Sequence, residues 1–167
     1  MHYYGEVETE MGQLRIACSP HGITMITLAE GTAEAFENAY RKLLDFQPQQ
    51  EKMPERYKQA VIKAAAGRAF DPVPIDLSGL SAFQVKVLKA LQKVPRGQVH
   101  TYSWLAGKVG RPLAARAVGN TMARNPVPFI IPCHRVVPAS GGIGNFGLGK
   151  ERKRTLLRRE GVQVEQL

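Results

Sequence analysis

Cysteine is scarce in this chain: its 167 residues include only Cys18 and Cys133. Two thiols cannot build a disulfide framework, which removes the stapled secreted scaffolds and points to a reducing compartment where both stay free. Long apolar runs are missing as well. None approaches the roughly 18 residues that a membrane span requires, and Met1-His2-Tyr3-Tyr4-Gly5-Glu6 lacks the basic-then-apolar order of a secretory signal. An intracellular protein without a membrane partner is expected. No internal repeat or low-complexity tract is present, and the one glycine-rich stretch, Gly141-Gly142-Ile143-Gly144-Asn145-Phe146-Gly147, lacks the spacing of a dinucleotide or Walker loop.

Acidic residues are scarce in one half only. Residues 79–167 hold 3 Asp/Glu against 15 Lys/Arg, whereas residues 1–78 hold 11 against 8. The formal charge of +9 is therefore carried by the second half. A field of one sign concentrates polyanions and speeds their encounter, so nucleic acid is the first partner to consider and an anionic membrane the second. The length and the charge break suggest two small domains, 1–78 and 79–167.

In residues 1–28 apolar and polar positions alternate, and Gly12 and Ser19-Pro20-His21-Gly22 punctuate them, which predicts three short antiparallel strands. Helices are predicted over 33–44 and 54–66. In the first of these, Ala35, Phe36, Ala39, Tyr40, Leu43 and Leu44 form a face that would cover the sheet. Residues 70–80, with Pro72, Pro74 and Gly79, read as a linker. Ser81 is a candidate N-cap for a helix to 93, and Thr101 for a short helix to about 109. Gly110-Arg111-Pro112 then makes a turn before a helix over 113–123. That is helix-turn-helix spacing, and the second helix carries Ala114, Ala115, Ala117 and Gly119 around Arg116, small residues that permit close approach to another surface. Prolines 126, 128 and 132 exclude a helix and predict a rigid extended segment that presents Cys133. A strongly basic helix over 150–160 follows, with Gly161 suited to its C-terminal cap.

A cysteine beside a histidine is by itself a weak signal, because free cysteine is more often a small buried hydrophobe than a nucleophile. The surrounding motifs sharpen it. Phe83-Gln84, Pro95-Arg96-Gly97, Thr101-Tyr102, Arg116-Ala117-Val118-Gly119, Asn125-Pro126 and Pro132-Cys133-His134-Arg135 together resemble the O6-alkylguanine-DNA alkyltransferases. The resemblance is close over 79–161. In the first half it rests only on the stretch from Thr9-Glu10-Met11-Gly12 to Ile26.

The resemblance implies an α/β N-terminal domain, ribonuclease-H-like with a small antiparallel sheet and helices, followed by a mainly α domain with a winged helix-turn-helix. It implies a monomer that acts on double-stranded DNA carrying O6-alkylguanine and moves the alkyl group irreversibly onto Cys133. O4-alkylthymine is a further possible substrate. His134 matches the base that works through a water molecule, Glu160 the carboxylate that orients it, and Tyr102 the group that protonates the departing base. Arg116 matches the finger that enters the base stack beside Ala115. Met122, Val136, Phe146 and backbone amides around Gly147 would form the base pocket, and Asn125 would lock the turn before the active-site strand. On such a strand successive side chains face opposite ways, so His134 would reach Cys133 only through water.

There are departures from the family pattern. Gly147-Leu148 stands where relatives have Ser-Gly, and Phe146 replaces a tyrosine, which bears on the size of the pocket. Relatives with tryptophan at the acceptor position only bind lesions, whereas this chain has Cys133. Some relatives hold zinc, but His2, Cys18, His21 and His100 fit no structural zinc spacing, so no metal and no cofactor is expected. Two other classes remain open: a helix-turn-helix transcription factor with a structural Cys133, and a cysteine hydrolase using Cys133 and His134.

Overall fold

The computed structural model describes residues 1–167. The chain opens with β1 (Tyr3–Thr9), β2 (Gly12–Ser19) and β3 (Gly22–Leu28), an antiparallel meander. Helix α1 (Ala33–Leu44) follows, capped by the Thr32 hydroxyl, which accepts from the Ala35 amide at 3.0 Å. The sheet is mixed, in the order β3-β2-β1-β4, not purely antiparallel. Its fourth strand, β4 (Gln49–Gln50), is too short to show periodicity and pairs parallel to β1. Helix α2 (Glu55–Ala65) completes the first half.

Strand β2 is buried on both faces. On one side Tyr4 and Ala17 meet Phe36 and Tyr40 of α1. The covering face of α1 is narrower than expected: Ala35 and Ala39 are exposed and Leu43 is 62% exposed, because a sheet edge this small meets one i, i+4 row. On the other side Leu14, Ile16, Ile23 and Ile26 share a continuous core with Tyr57 and Val61 of α2 and with Leu88, Leu105, Val118 and Leu156 from the basic half.

The stretch over 70–80 is more than a tether. Ile23 donates its amide to Pro74 O at 3.0 Å and Asp76 donates to Ile23 O at 2.8 Å, so the segment runs beside the outer edge of β3. Gly22, at φ +143°, permits this, since a Cβ there would lie 2.5 Å from the Pro74 carbonyl. Ile26 donates in turn to Pro126 O at 2.8 Å, which ties the sheet to the loop leading to Cys133. An open strand edge is thereby occupied.

The basic half contains α3 (Ala82–Gln92), β5 (His100–Thr101), α4 (Tyr102–Lys108), α5 (Ala115–Ala123), β6 (Val136–Val137) and α6 (Lys150–Arg159). Ser81 and Gln84 form a reciprocal capping box, and Thr101 caps α4 through the Trp104 amide at 3.1 Å. Helix α5 starts two residues later than expected. Arg111-Pro112-Leu113 stays in the turn, Leu113 is fully exposed, and Ala114 offers no side-chain cap. Strands β5 and β6 pair in parallel, His100 with Val136.

The segment before Cys133 is not extended. Ile130 donates to Pro128 O at 2.9 Å and Ile131 to Val127 O at 3.0 Å, so the chain folds into successive turns. Phe129 takes φ +71°, a left-handed conformation costly for an aromatic residue, which persists where packing over-determines it. Cys133–Arg135 form a single 3-10 turn, not a strand. Proline ruled out the α-helix correctly, but fixed φ values suit turns as well as extended chain.

Candidate active site

Three features fix the position of Cys133. Asn125 donates its amide to Ile131 O at 2.9 Å and accepts from the Val127 amide at 3.0 Å, closing the proline loop on itself. The Cys133 amide donates to Ile131 O at 2.8 Å, and the 3-10 turn continues into β6, held against β5. Cys133, 8% exposed, lies in the wall of a cleft of about 370 Å³ lined also by Tyr102, Gly119, Met122, Ala123, Asn145, Phe146 and Gly147. That volume is within the range of about 300–1,000 Å³ usual for small-molecule sites. Gly119 and Ala123 carry so little side chain that α5 leaves the cleft open.

Tyr102, Met122, Phe146 and Gly147 thus lie together around Cys133, as expected from the sequence. Val136 does not. It is 1% exposed and packed in the core, because its residue pairs with His100 in the β5–β6 ladder and directs its carbonyl to Lys153. Ala115 and Arg116 occupy the outer first turn of α5, with Arg116 exposed and outside the cleft wall.

Behind the cleft, His134 and Glu160 are buried at 0% and 8% exposure. His134 Nε2 lies 3.1 Å from both oxygens of Glu160. Arg135 donates to the same carboxylate through Nε at 3.0 Å and Nη2 at 2.8 Å, and through Nη1 to Val94 O at 2.7 Å. Burial alone would raise the Glu160 pKa, but the hydrogen bonds from His134 and Arg135 outweigh it and hold the carboxyl at about 2. Burial lowers the pKa of His134, and the pull of Glu160 does not reverse this because Arg135 already balances the carboxylate. The imidazole is therefore neutral near pH 7. An ionised carboxylate only accepts, so Nε2 carries the ring proton and Nδ1 presents a lone pair. Nδ1 is buried and has no hydrogen-bond partner.

Burial also raises the Cys133 pKa, against the opposing pull of the Asn125 amide and the Lys153 charge. Tyr102 is raised by burial and then by Cys133. Phe146 sits edge-on to His134, with ring centres 6.4 Å apart, and to Phe129 at 6.3 Å.

Two residues of this site were not singled out from the sequence. Arg135 stands in the Pro132-Cys133-His134-Arg135 motif with no role of its own and Lys153 in a strongly basic helix, yet Arg135 is 8% exposed and Lys153 is 0% exposed. The signal was there for Lys153: it shares one helical face with Leu156, Leu157 and Glu160, at i, i+3, i+4 and i+7.

Residues 82–162 match the family model described as 6-O-methylguanine DNA methyltransferase, DNA binding domain. A methylated-DNA–protein-cysteine methyltransferase of Mycolicibacterium paratuberculosis is 34% identical over 159 residues, which cover 92% of this chain and 89% of that one. This chain belongs to the methylated-DNA–protein-cysteine methyltransferase family. Among solved members, the crystal structure of Mycobacterium tuberculosis OGT in complex with DNA superposes with a TM-score of 0.77 at 32% identity, covering 95% of this chain and 92% of that one. O6-methylguanine-DNA methyltransferase from Pyrococcus kodakaraensis gives a TM-score of 0.71 at 30% identity, covering 97% and 100%. The methyltransferase likeness thus extends over both halves, including the first, where the sequence motifs were sparse.

Proposed function

We propose that this protein repairs duplex DNA by transferring the alkyl group of O6-alkylguanine irreversibly to Cys133, once per molecule. The observation that carries the reading is that the Cys133 thiol, in an open cleft, is followed in the same 3-10 turn by a buried neutral imidazole whose Nδ1 lone pair is unused. A free thiol with pKa near ~8.5 is only a few per cent thiolate at neutral pH, and burial lowers that fraction further for Cys133. His134 raises that fraction by accepting the proton through a bridging water, and Glu160 holds its tautomer. The thiolate then attacks the alkyl carbon, the bond from that carbon to O6 breaks, and Tyr102 returns a proton to the departing base while backbone amides near Gly147 bind O6.

A base inside a duplex is out of reach of such a cleft, so the nucleotide rotates out of the stack at a cost of a few kcal/mol. Arg116 is the finger that fills the gap, with Ala115 and the other small residues of α5 lying against the minor groove. We read residues 79–167 as the DNA-binding and acceptor domain, with α4–α5 as a winged helix-turn-helix, and 1–78 as a ribonuclease-H-like domain that backs it. The protein works as an intracellular monomer. No helix is long and apolar enough to cross a membrane. The deciding experiment is intact-mass measurement after mixing with duplex DNA containing O6-methylguanine. One added methyl per molecule supports the proposal; no mass change, or repeated turnover as in a cysteine hydrolase, refutes it.

A further inference from the structure

Lys153 has a position that a lysine rarely occupies. Its side chain is fully buried, and Nζ donates to Val136 O at 2.8 Å and to Asn145 O at 3.2 Å. It forms no ion pair with any carboxylate. An ammonium moved from water into a protein interior costs several kcal/mol unless a counter-charge is at hand, whereas methionine or leucine would fill the same volume without that cost.

The charges around it leave one candidate for that counter-charge. On its own helix, Glu160 is neutralised by the two hydrogen bonds from Arg135, and Lys150 is exposed and of like sign. On the 3-10 turn, Arg135 is committed to Glu160, His134 is neutral, and Cys133 remains. Across the cleft, Tyr102 is a phenol with its pKa raised further. With a neutral thiol the cluster of Lys153, Arg135, Glu160, His134 and Cys133 therefore carries one positive charge in excess, and with a thiolate it is neutral.

We propose that Lys153 is a positioning residue for alkyl transfer: its ammonium is the buried counter-ion held for the Cys133 thiolate, and its bonds to Val136 O and Asn145 O join the acceptor turn to the cleft wall. The proposal rests on Cys133 being the acceptor. Lys153 neither takes nor gives the thiol proton, which leaves through His134; it stabilises the anion left on sulfur. Two shifts agree with this: Lys153 is lowered to about 8, chiefly by burial, with Cys133 opposing, and Lys153 is among the groups that pull Cys133 down. Gly144 makes room for the arrangement. At φ +74° it brings the 141–147 loop over the ammonium, where a Cβ would lie 3.8 Å from Nζ and 2.8 Å from Pro138 Cδ.

The test is the pH profile of Cys133 alkylation by iodoacetamide, read by peptide mapping, in wild type, Lys153→Met and Lys153→Arg, with DNA affinity and Tm measured alongside. The expected result for Lys153→Met is a profile displaced to higher pH by about one unit, a loss of roughly ten-fold at neutral pH that recovers in alkali. DNA affinity should stay unchanged, and Lys153→Arg should restore much of the rate. A lower Tm with an undisplaced profile would overturn the proposal. Should Lys153→Met fail to fold, the wild-type chain still decides: NMR titration of the Lys153 side chain before and after methylation of Cys133 should show a lower ammonium pKa once the thiolate is gone, and an unchanged titration overturns it. Iodoacetamide needs no DNA, so failure here is distinct from failure of alkyl transfer itself.

Discussion

Cys18 and Cys133 are both buried thiols, and the structure gives them different company. Cys18 is at 0% exposure in β2, paired with Ile23 across the ladder and enclosed by apolar side chains of the shared core. Burial pushes its pKa up to about 12 with nothing opposing. Cys133 is also raised by burial, but Asn125 and Lys153 pull against it, and His134 with its Glu160–Arg135 support follows in the same 3-10 turn. Desolvation alone makes a thiol inert. What distinguishes an acceptor is polar groups arranged to favour the anion, next to a cleft through which a substrate can enter.

The largest expected effect tests that contrast directly. Cys133→Ser should abolish methyl transfer while lesion binding survives, because a hydroxyl is far less acidic than a thiol and the same relay cannot ionise it at neutral pH. Cys18→Ser should retain full stoichiometry, and peptide mapping of wild type should find the methyl on Cys133 alone. Label on Cys18 would dissolve the distinction.

Next comes the relay. Glu160→Gln should slow transfer by roughly 10²- to 10⁴-fold, the usual worth of positioned acid–base catalysis, with DNA affinity nearly unchanged and the rate recovering toward alkaline pH. A mutant equally slow above the thiol's own pKa would make Glu160 purely structural. The same carboxylate governs acid stability. Its folded pKa, about 2, lies below the unfolded value of 4.5, so its contribution is present above about 4.5 and lost as pH falls toward 2. A shift of that size corresponds to a contribution on the order of 3 kcal/mol, which acid unfolding of wild type against Glu160→Gln should reveal as a flatter curve in the mutant.

Arg116→Ala moves the comparison to access. In its proposed role Arg116 offsets part of the few kcal/mol of unstacking, so without it duplex repair should fall roughly ten- to hundred-fold while reaction with a free alkylguanine base is unaffected. Competition assays with the two substrates separate these outcomes, and equal losses would contradict the role. The smallest effect belongs to the other thiol. Cys18→Ala removes one sulfur from a packed interior and should cost about 1 kcal/mol, or roughly 2–4 °C in Tm, with transfer kinetics intact.

Much of this was legible in the chain itself. Short-range signals set the elements: alternation in residues 1–28, the Ser81 and Thr101 caps, and the prolines that keep 126–132 out of a helix. The Pro132-Cys133-His134-Arg135 motif and the family likeness pointed to Cys133, His134 and Glu160 as the candidate acceptor, base and carboxylate without coordinates, and the fold brings His134 and Glu160 into contact. Tertiary structure decided the rest, because it depends on contacts between residues far apart in sequence. It folded the proline loop into turns around Phe129, placed Val136 in the core instead of the cleft wall, and paired β4 with β1. Above all it sorted the charges. A run such as Lys150-Glu151-Arg152-Lys153-Arg154 reads as one basic surface, and only the packing of α6 against the 3-10 turn shows that Lys153 faces inward, where a low dielectric turns one ammonium from a solvated charge into part of the site.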